Sequence, residues 1–263
     1  MAKSNIEWTD YSWNFISGCN KVSAGCKNCY AETIAKRFWK DRKFTDVQID
    51  ISKLELPLHL KKPRMIFVNS MSDLFHDKVP LNIISEAWST MRRCENKHIF
   101  QILTKRPERM EKLLLKGNYV LKNIWLGVSV ENQQTADERI PLLLQTPAAV
   151  RWLSIEPMLD KIYLDVPIGH WENLRPDKLT GRSGNWIKDY EMIEKLDWVV
   201  VGCESGHNRR ECKLEWVEDI VRQCKEANVP VFVKQIQING KVVKDIEKFP
   251  TGLRIRQFPN NKS

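Results

Sequence analysis

The sequence predicts an α/β protein: a (β/α) barrel, closed or partial, with parallel strands and an insertion near residues 161–196. Three observations predict it. Short, apolar, β-branched runs alternate with longer amphipathic stretches, the pattern of a parallel sheet covered by helices on both faces. The length of 263 residues suits one such barrel as a single domain and is enough to bury a core unaided. No phosphate-binding glycine fingerprint follows the first predicted strand, which argues against an open dinucleotide-binding sheet. An open doubly wound sheet stays as the alternative, because strand order is not legible in a single sequence.

The elements run in order along the chain. Trp13–Gly18 is predicted as the first strand and Ala31–Trp39 as its helix. Met65–Asn69 is the second strand. Its helix is Leu81–Cys94, with Ile84, Ala87, Trp88 and Met91 on one face. Ile99–Leu103 leads to a helix over Pro107–Lys116, with proline to start it and Gly117 to stop it. Ile124–Val130 and Gln133–Gln145 repeat the unit, and Val150–Ile155 is a further strand. The rhythm then breaks in a stretch rich in Gly, Asn, Asp and Trp, such as Leu179–Trp186, which is read as an insertion within the barrel. Trp198–Val201, a helix over Leu214–Ala227 and Val231–Ile236 complete the pattern.

Composition narrows the class. Ten Trp, nine Phe and five Tyr exclude disorder as the main state. No apolar run approaches the roughly 20 residues of a membrane-spanning helix. The net charge of +9 leans toward an anionic partner, a nucleic acid or nucleotide. The N-terminus carries no apolar signal-peptide core, so a cytoplasmic location with reduced thiols is expected. Seven cysteines, an odd number, argue against a closed disulfide framework. Those isolated in sequence are expected to be buried small hydrophobes.

Three cysteines are not isolated. Cys19, Cys26 and Cys29 form a C-x6-C-x2-C loop. The short spacing lets two thiolates face one centre from a single turn. Gly18 and Gly25, each preceding a cysteine, let the longer arm wrap a third thiolate round it. Three thiolates leave one iron of a [4Fe–4S] cluster open for a substrate or cofactor. Structural zinc is the alternative metal, with Cys203, Cys212 or a histidine as fourth ligand. Spacing alone leaves cluster and zinc even.

Polar residues come after every predicted strand. They are Asn69-Ser70-Met71-Ser72-Asp73-Leu74-Phe75-His76, Thr104-Lys105-Arg106, Ser129 with Glu131, Glu156-Pro157, Cys203-Glu204-Ser205-Gly206-His207 and Lys234-Gln235. In a barrel these ends line one mouth, which predicts a shared pocket; ordinary solvent-facing strand ends are the plainer reading. Asn69, Ser70, Ser129, Glu131 and Glu156 are the cofactor-binding candidates, and Cys203, Glu204, Lys105 and Lys234 the catalytic ones. Glu131, Glu156 and Glu204 suit a ribose or ammonium group, or an ion pair with Lys105 or Lys234. His76 is given no role, a lone histidine being more often structural. The segment Lys36–Lys43 interleaves aromatics with positive charge, as single-strand grooves do. The preferred reading is a helix with Phe38 buried and its lysines solvated.

Taken together, Ile6–Asp10, Trp13-Asn14, Gly18-Cys19, Gly25-Cys26, Cys29-Tyr30-Ala31, Asn69–His76, Leu103–Pro107, Leu126–Glu131, Ser154–Pro157, Glu204–Gly206 and Phe232–Gln235 carry a resemblance. The chain resembles the phage and prophage three-cysteine-motif proteins, the gene-product 37/gene-product 68 family, over nearly its whole length. The resemblance implies a radical S-adenosylmethionine-type barrel with Cys19, Cys26 and Cys29 as cluster ligands. It implies S-adenosylmethionine held at the open iron and cleaved to a 5′-deoxyadenosyl radical that acts on a nucleotide, nucleic acid or peptide. It further implies an external electron donor and a three-Cys-motif partner protein. The competing reading is a cluster- or zinc-bearing phage protein that binds nucleic acid or a partner without radical catalysis. Three positions depart from the patterns compared. The first spacing is x6 where the radical superfamily has x3, Tyr30 follows the last cysteine where an aromatic usually precedes it, and Cys203 stands where the family commonly has glycine.

Overall fold

A computed structural model describes residues 1–115, 120–164, 182–183, 191–192, 195–206 and 208–259. The chain divides into two compact units, Met1–Gly127 with Pro147–Ala149, and Val128–Thr146 with Val150–Ser263.

The first unit opens with β1 (Ala2–Lys3), β2 (Tyr11–Trp13) and β3 (Ile16–Ser17), followed by α1 (Tyr30–Phe38) and β4 (Gln48–Ile49). Then come β5 (Arg64–Val68), α2 (Leu81–Arg93), β6 (His98–Thr104), α3 (Pro107–Leu114) and β7 (Ile124–Ser129), which belongs to this unit as far as Gly127. The sheet order is β1-β2-β5-β6-β7. β2 runs parallel to β5 and β5 parallel to β6, so the C-terminal ends of these strands lie together. Helix α2 buries Ile83, Ile84, Ala87, Thr90 and Met91, a stripe at helical spacing. Trp13 packs against Phe15 and Phe100, with ring centroids 4.6 and 5.7 Å away. An apolar cavity of about 480 Å³ lies among residues of α2, α3 and β7, Trp88 and Leu113 included.

In the second unit, α4 (Gln133–Gln145) and β8 (Val150–Ile155) follow the end of β7. The short β9 (Arg182–Ser183) and β10 (Glu191–Met192) pair antiparallel with each other. β11 (Trp198–Gly202), α5 (Leu214–Glu226), β12 (Val231–Ile238) and β13 (Lys241–Val243) complete it. The sheet order here is β7-β8-β11-β12-β13. β8, β11 and β12 are parallel neighbours, and β13 returns antiparallel. Every residue of β11 is buried, as expected of a parallel strand covered on both faces. The β12–β13 turn is Asn239-Gly240, both with positive φ, the backbone a two-residue hairpin needs. Asn132 caps α4 by accepting from Thr135 N, while Thr135 returns a bond to the Asn132 backbone.

The protein is thus a mixed α/β fold with a mostly parallel sheet. Helix α4 and strand β8 have the predicted bounds, and the other predicted elements form within a few residues of theirs. The expected first strand, Trp13–Gly18, is not continuous. β2 stops at Trp13 because Asn69, at φ 58°, ends the neighbouring strand and its Oδ1 takes the Ile16 N–H at 3.1 Å. The chain then leaves the sheet, and Ile16–Ser17 pairs antiparallel with β4. Phe38 is 70% exposed, not buried, because the small residues Ala31 and Ala35 form the packed side of α1. The predicted insertion near 161–196 lies mostly outside the described residues, as does Gly117. Cys94, Cys212 and Cys224 are buried, as expected, and Cys203 is buried with them. No helix among the described residues is long and apolar enough to cross a membrane.

Candidate functional site

The three-cysteine loop belongs to the first unit and is anchored at its start. Gly18 has φ +97°, and a Cβ there would lie 2.6 Å from the Asp46 carbonyl and 2.8 Å from that of Phe44, so only glycine fits. Gly18 N donates to Met71 O, Cys19 N to Phe44 O, and Ser72 Oγ to Gly18 O at 2.7 Å. The start of the loop is therefore pinned to the segment that follows β5. Cys26 closes a short 3-10 turn over Ala24–Cys26, and Cys29 is the N-cap of α1. The Tyr30 hydroxyl donates to Ser70 O at 2.6 Å, tying the helix start to the same segment.

Cys19 faces a cation. Its Sγ accepts from Arg106 Nη1 at 3.6 Å. Arg106 is itself aimed: Nη1 lies 3.0 Å from Asp73 Oδ2, and Nη2 donates to Asn20 O at 3.3 Å. Asp73 also accepts from Thr104 Oγ1, Lys105 N and Phe75 N. This buried network joins the ends of β5 and β6 to the loop. Burial pushes the Cys19 thiol up to about 11, against the lowering effect of the Arg106 charge. Sequence reasoning does not single out Asp73, Thr104 or Arg106. They do sit in the motif-bearing segments Asn69–His76 and Leu103–Pro107, but their partnership is visible only in space.

The loop has suitable donors for a metal, since three soft thiols match iron–sulfur or zinc chemistry. Their arrangement does not close round a centre. Among the described residues, no three His, Cys, Asp or Glu side chains stand together as a metal-holding group.

Other predicted residues of this unit are mainly used to join elements. Asn69 receives the Ile16 N–H and donates its own N–H to Trp13 O. Ser70 Oγ donates to Asn14 Oδ1 at 3.1 Å. Lys105 is half-buried and its backbone N–H is held by Asp73. His76 is buried, and its Nδ1 accepts from Lys78 N at 3.1 Å. Burial holds the His76 ring below the usual histidine range.

The second unit gathers the remaining candidates, and each carboxylate has its own cation. Glu131 is fully buried and pairs with Arg139 at 3.2 Å; Arg139 also donates to Ser129 O at 2.7 Å. Glu156 pairs with Lys234 at 2.9 Å. Glu204 accepts from Arg210 N at 2.8 Å, from its Nε at 3.0 Å and from its Nη2. Of these pairs, only Glu156 with Lys234 is one the sequence suggests. A Cβ on Gly202 would stand 2.7 Å from Glu156 Oε1, so the missing side chain makes room for that carboxylate over β11. Cys203 is locked between backbone bonds: its N–H donates to Gln235 O, and its carbonyl accepts from Gln235 Nε2 at 2.6 Å. Burial pushes its thiol up to about 12, so it is neutral at pH 7. The Gln235 Oε1 atom is buried with no partner among the described residues. His207 lies outside the described residues.

Residues 3–253 match the model of a family described as "Protein of unknown function (DUF5131)". No curated protein and no solved structure matches the chain.

Proposed function

Because the chain belongs to the DUF5131 family, whose description assigns no activity, we propose a function from its own residues: an iron–sulfur protein of radical S-adenosylmethionine type on a partial (β/α) barrel. One observation carries the reading. The C-x6-C-x2-C loop is pinned beside the C-terminal ends of parallel strands, and its first thiol is backed by an oriented guanidinium. That is the end of a (β/α) fold where loops build chemistry.

In this reading Cys19, Cys26 and Cys29 hold a [4Fe–4S] cluster. When bound, such a cluster supplies the electron that cleaves the sulfonium of S-adenosylmethionine. The protein's own residues do the rest of the positioning. Gly18 and Ser72 fix where the loop begins. Arg106, held by Asp73, places positive charge at the Cys19 sulfur, which favours the thiolate a metal ligand must become. The reading calls for an external electron donor and a reducing, cytoplasmic setting, and it keeps a three-Cys-motif protein as a partner.

Anaerobic reconstitution with iron and sulfide tests it. The expected result is visible absorbance that is lost in Cys26→Ala, and 5′-deoxyadenosine after reduction with S-adenosylmethionine. Stoichiometric zinc without iron would overturn the cluster assignment. Iron without 5′-deoxyadenosine would favour a cluster-bearing binding protein instead.

A further inference from the structure

Helix α1 begins at the residue after Cys29 and carries an apolar stripe on its solvent side. Tyr30, Ile34 and Phe38 are 45, 40 and 70% exposed. They recur every four residues and so share one side of the helix, while Ala31 and Ala35 fill the buried side. The Tyr30 hydroxyl is held by Ser70 O, which fixes the N-terminal end of the stripe. A phenylalanine this exposed forgoes the stabilisation of burial, so the stripe marks a contact surface more than a packing error.

The charge around the stripe selects the occupant. Residues 36–43 contain five basic side chains and one acidic one. Lys36 is engaged by Glu32, and Arg42 lies over the Trp39 ring at 3.9 Å while donating to Ser17 O and Asp46 O. Arg37, Lys40 and Lys43 are exposed, and their side chains have no ion pair among the described residues. Exposed aromatic surface beside unneutralised positive charge matches a ligand with stackable rings and a repeating anion. We propose that this face binds a single-stranded polynucleotide, with a base stacked on Phe38 and phosphates on Arg37, Lys40 and Lys43. Duplex is the poorer match, because paired bases offer no open face to Phe38. The strand would then run along the helix that follows the three-cysteine loop. The proposal names the substrate class for the activity proposed above; binding itself stands without that reading, and only the chemistry after binding rests on it.

Fluorescence anisotropy of the full chain with labelled oligo(dT), oligo(rU) and a mixed-sequence duplex tests it. The expected result is salt-dependent binding to a single strand, tighter than to duplex. The DNA and RNA arms then identify the strand used. Phe38→Ala should weaken single-strand affinity by about 10-fold or more, in the range of one lost base stack, and Phe38→Trp should restore it. Lys40→Glu should weaken binding and flatten its salt slope by about one phosphate contact. Unchanged affinity in Phe38→Ala, or duplex bound as tightly as single strand, would overturn the proposal. So would displacement of the oligonucleotide by polyglutamate equally well from wild type and Phe38→Ala, which would show charge alone. The same titration on the reconstituted wild-type protein, run beside the 5′-deoxyadenosine assay, separates the two readings. Binding without 5′-deoxyadenosine chemistry fails the radical reading alone, and chemistry without single-strand binding fails this one.

Discussion

The two strand-end clusters solve the same electrostatic problem differently. In the first unit one cation, Arg106, is shared between a carboxylate and a thiol, and Asp73 has three further donors in Thr104, Lys105 and Phe75. In the second unit the strand-end carboxylates Glu131, Glu156 and Glu204 are each held by a cation, Arg139, Lys234 and Arg210 respectively. A shared cation tolerates rearrangement, since each partner keeps other bonds when it moves. Buried ion pairs are costly to break. The cluster with latitude is the one that carries the three-cysteine loop.

The comparison is broken most sharply by deleting one cation from each cluster. Arg139→Ala removes the guanidinium that faces the carboxylate of Glu131, a residue that is 0% exposed, and should cost about 3–5 kcal/mol in urea unfolding. Replacing both partners, with Glu131→Gln added to Arg139→Met, should recover part of that loss. Arg106→Ala leaves Asp73 its other donors and should cost less, about 1–3 kcal/mol. Equal losses at the two sites would remove the distinction.

The cysteines sharpen it in kinetic terms. Cys19 is half-buried, with its thiol pushed up to about 11 by burial, and Cys203 is fully buried, with its thiol pushed up to about 12. At pH 8 the Cys19 thiolate is scarce, so alkylation of Cys19 in the metal-free protein should run roughly a hundredfold slower than that of a free thiol. Its rate should rise about tenfold per pH unit up to about 11. Cys203 should stay unmodified across the same range until the protein unfolds. Peptide mass spectrometry of each site reads both outcomes, and rapid labelling of Cys203 in the native state would contradict its packing.

The two glycines give a smaller, backbone-level contrast. Gly18→Ala forces a side chain into two carbonyl oxygens at a positive φ, so the loop start must move; about 2 kcal/mol is expected. Gly202→Ala meets first the tip of the Glu156 side chain, which can swing away, and then Gln235 Cγ at 3.3 Å; about 1 kcal/mol is expected, with a looser Lys234 pair. Thermal unfolding of the two variants orders them.

What the sequence reveals depends on how local each cause is. Helix α4 has its predicted bounds because its start is written locally, in Asn132 and Thr135. β8 is equally legible as an apolar run. The break after Trp13 is not legible, because the group that ends the ladder, Asn69, is 56 residues away from it in the chain. Phe38 misleads for a related reason: hydrophobicity assigns the larger apolar residue to the core, whereas packing chose the alanine side of α1. In the candidate site the ligand types are plain in the sequence. The Arg106–Asp73 support behind Cys19 is a contact between two strand ends, which motif spacing cannot convey.

The smallest expected effect concerns His76, which sits beside the network that supports the loop. Burial, the largest influence, and then the Arg106 charge hold its ring below the usual histidine range, so the folded protein keeps it neutral. The unfolded chain binds a proton at an ordinary histidine value, near 6.5. Stability is therefore fully present above that value and falls as the pH drops below it, because the unfolded state takes up a proton that the folded state resists. His76→Gln removes this term and should flatten the stability profile between neutral and mildly acidic pH, as read from urea midpoints. His98, buried and shifted in the same direction, leaves a residual slope in that variant. A profile that steepens in His76→Gln would mean that the ring is charged in the fold, and that the first cluster holds a second cation beside Arg106.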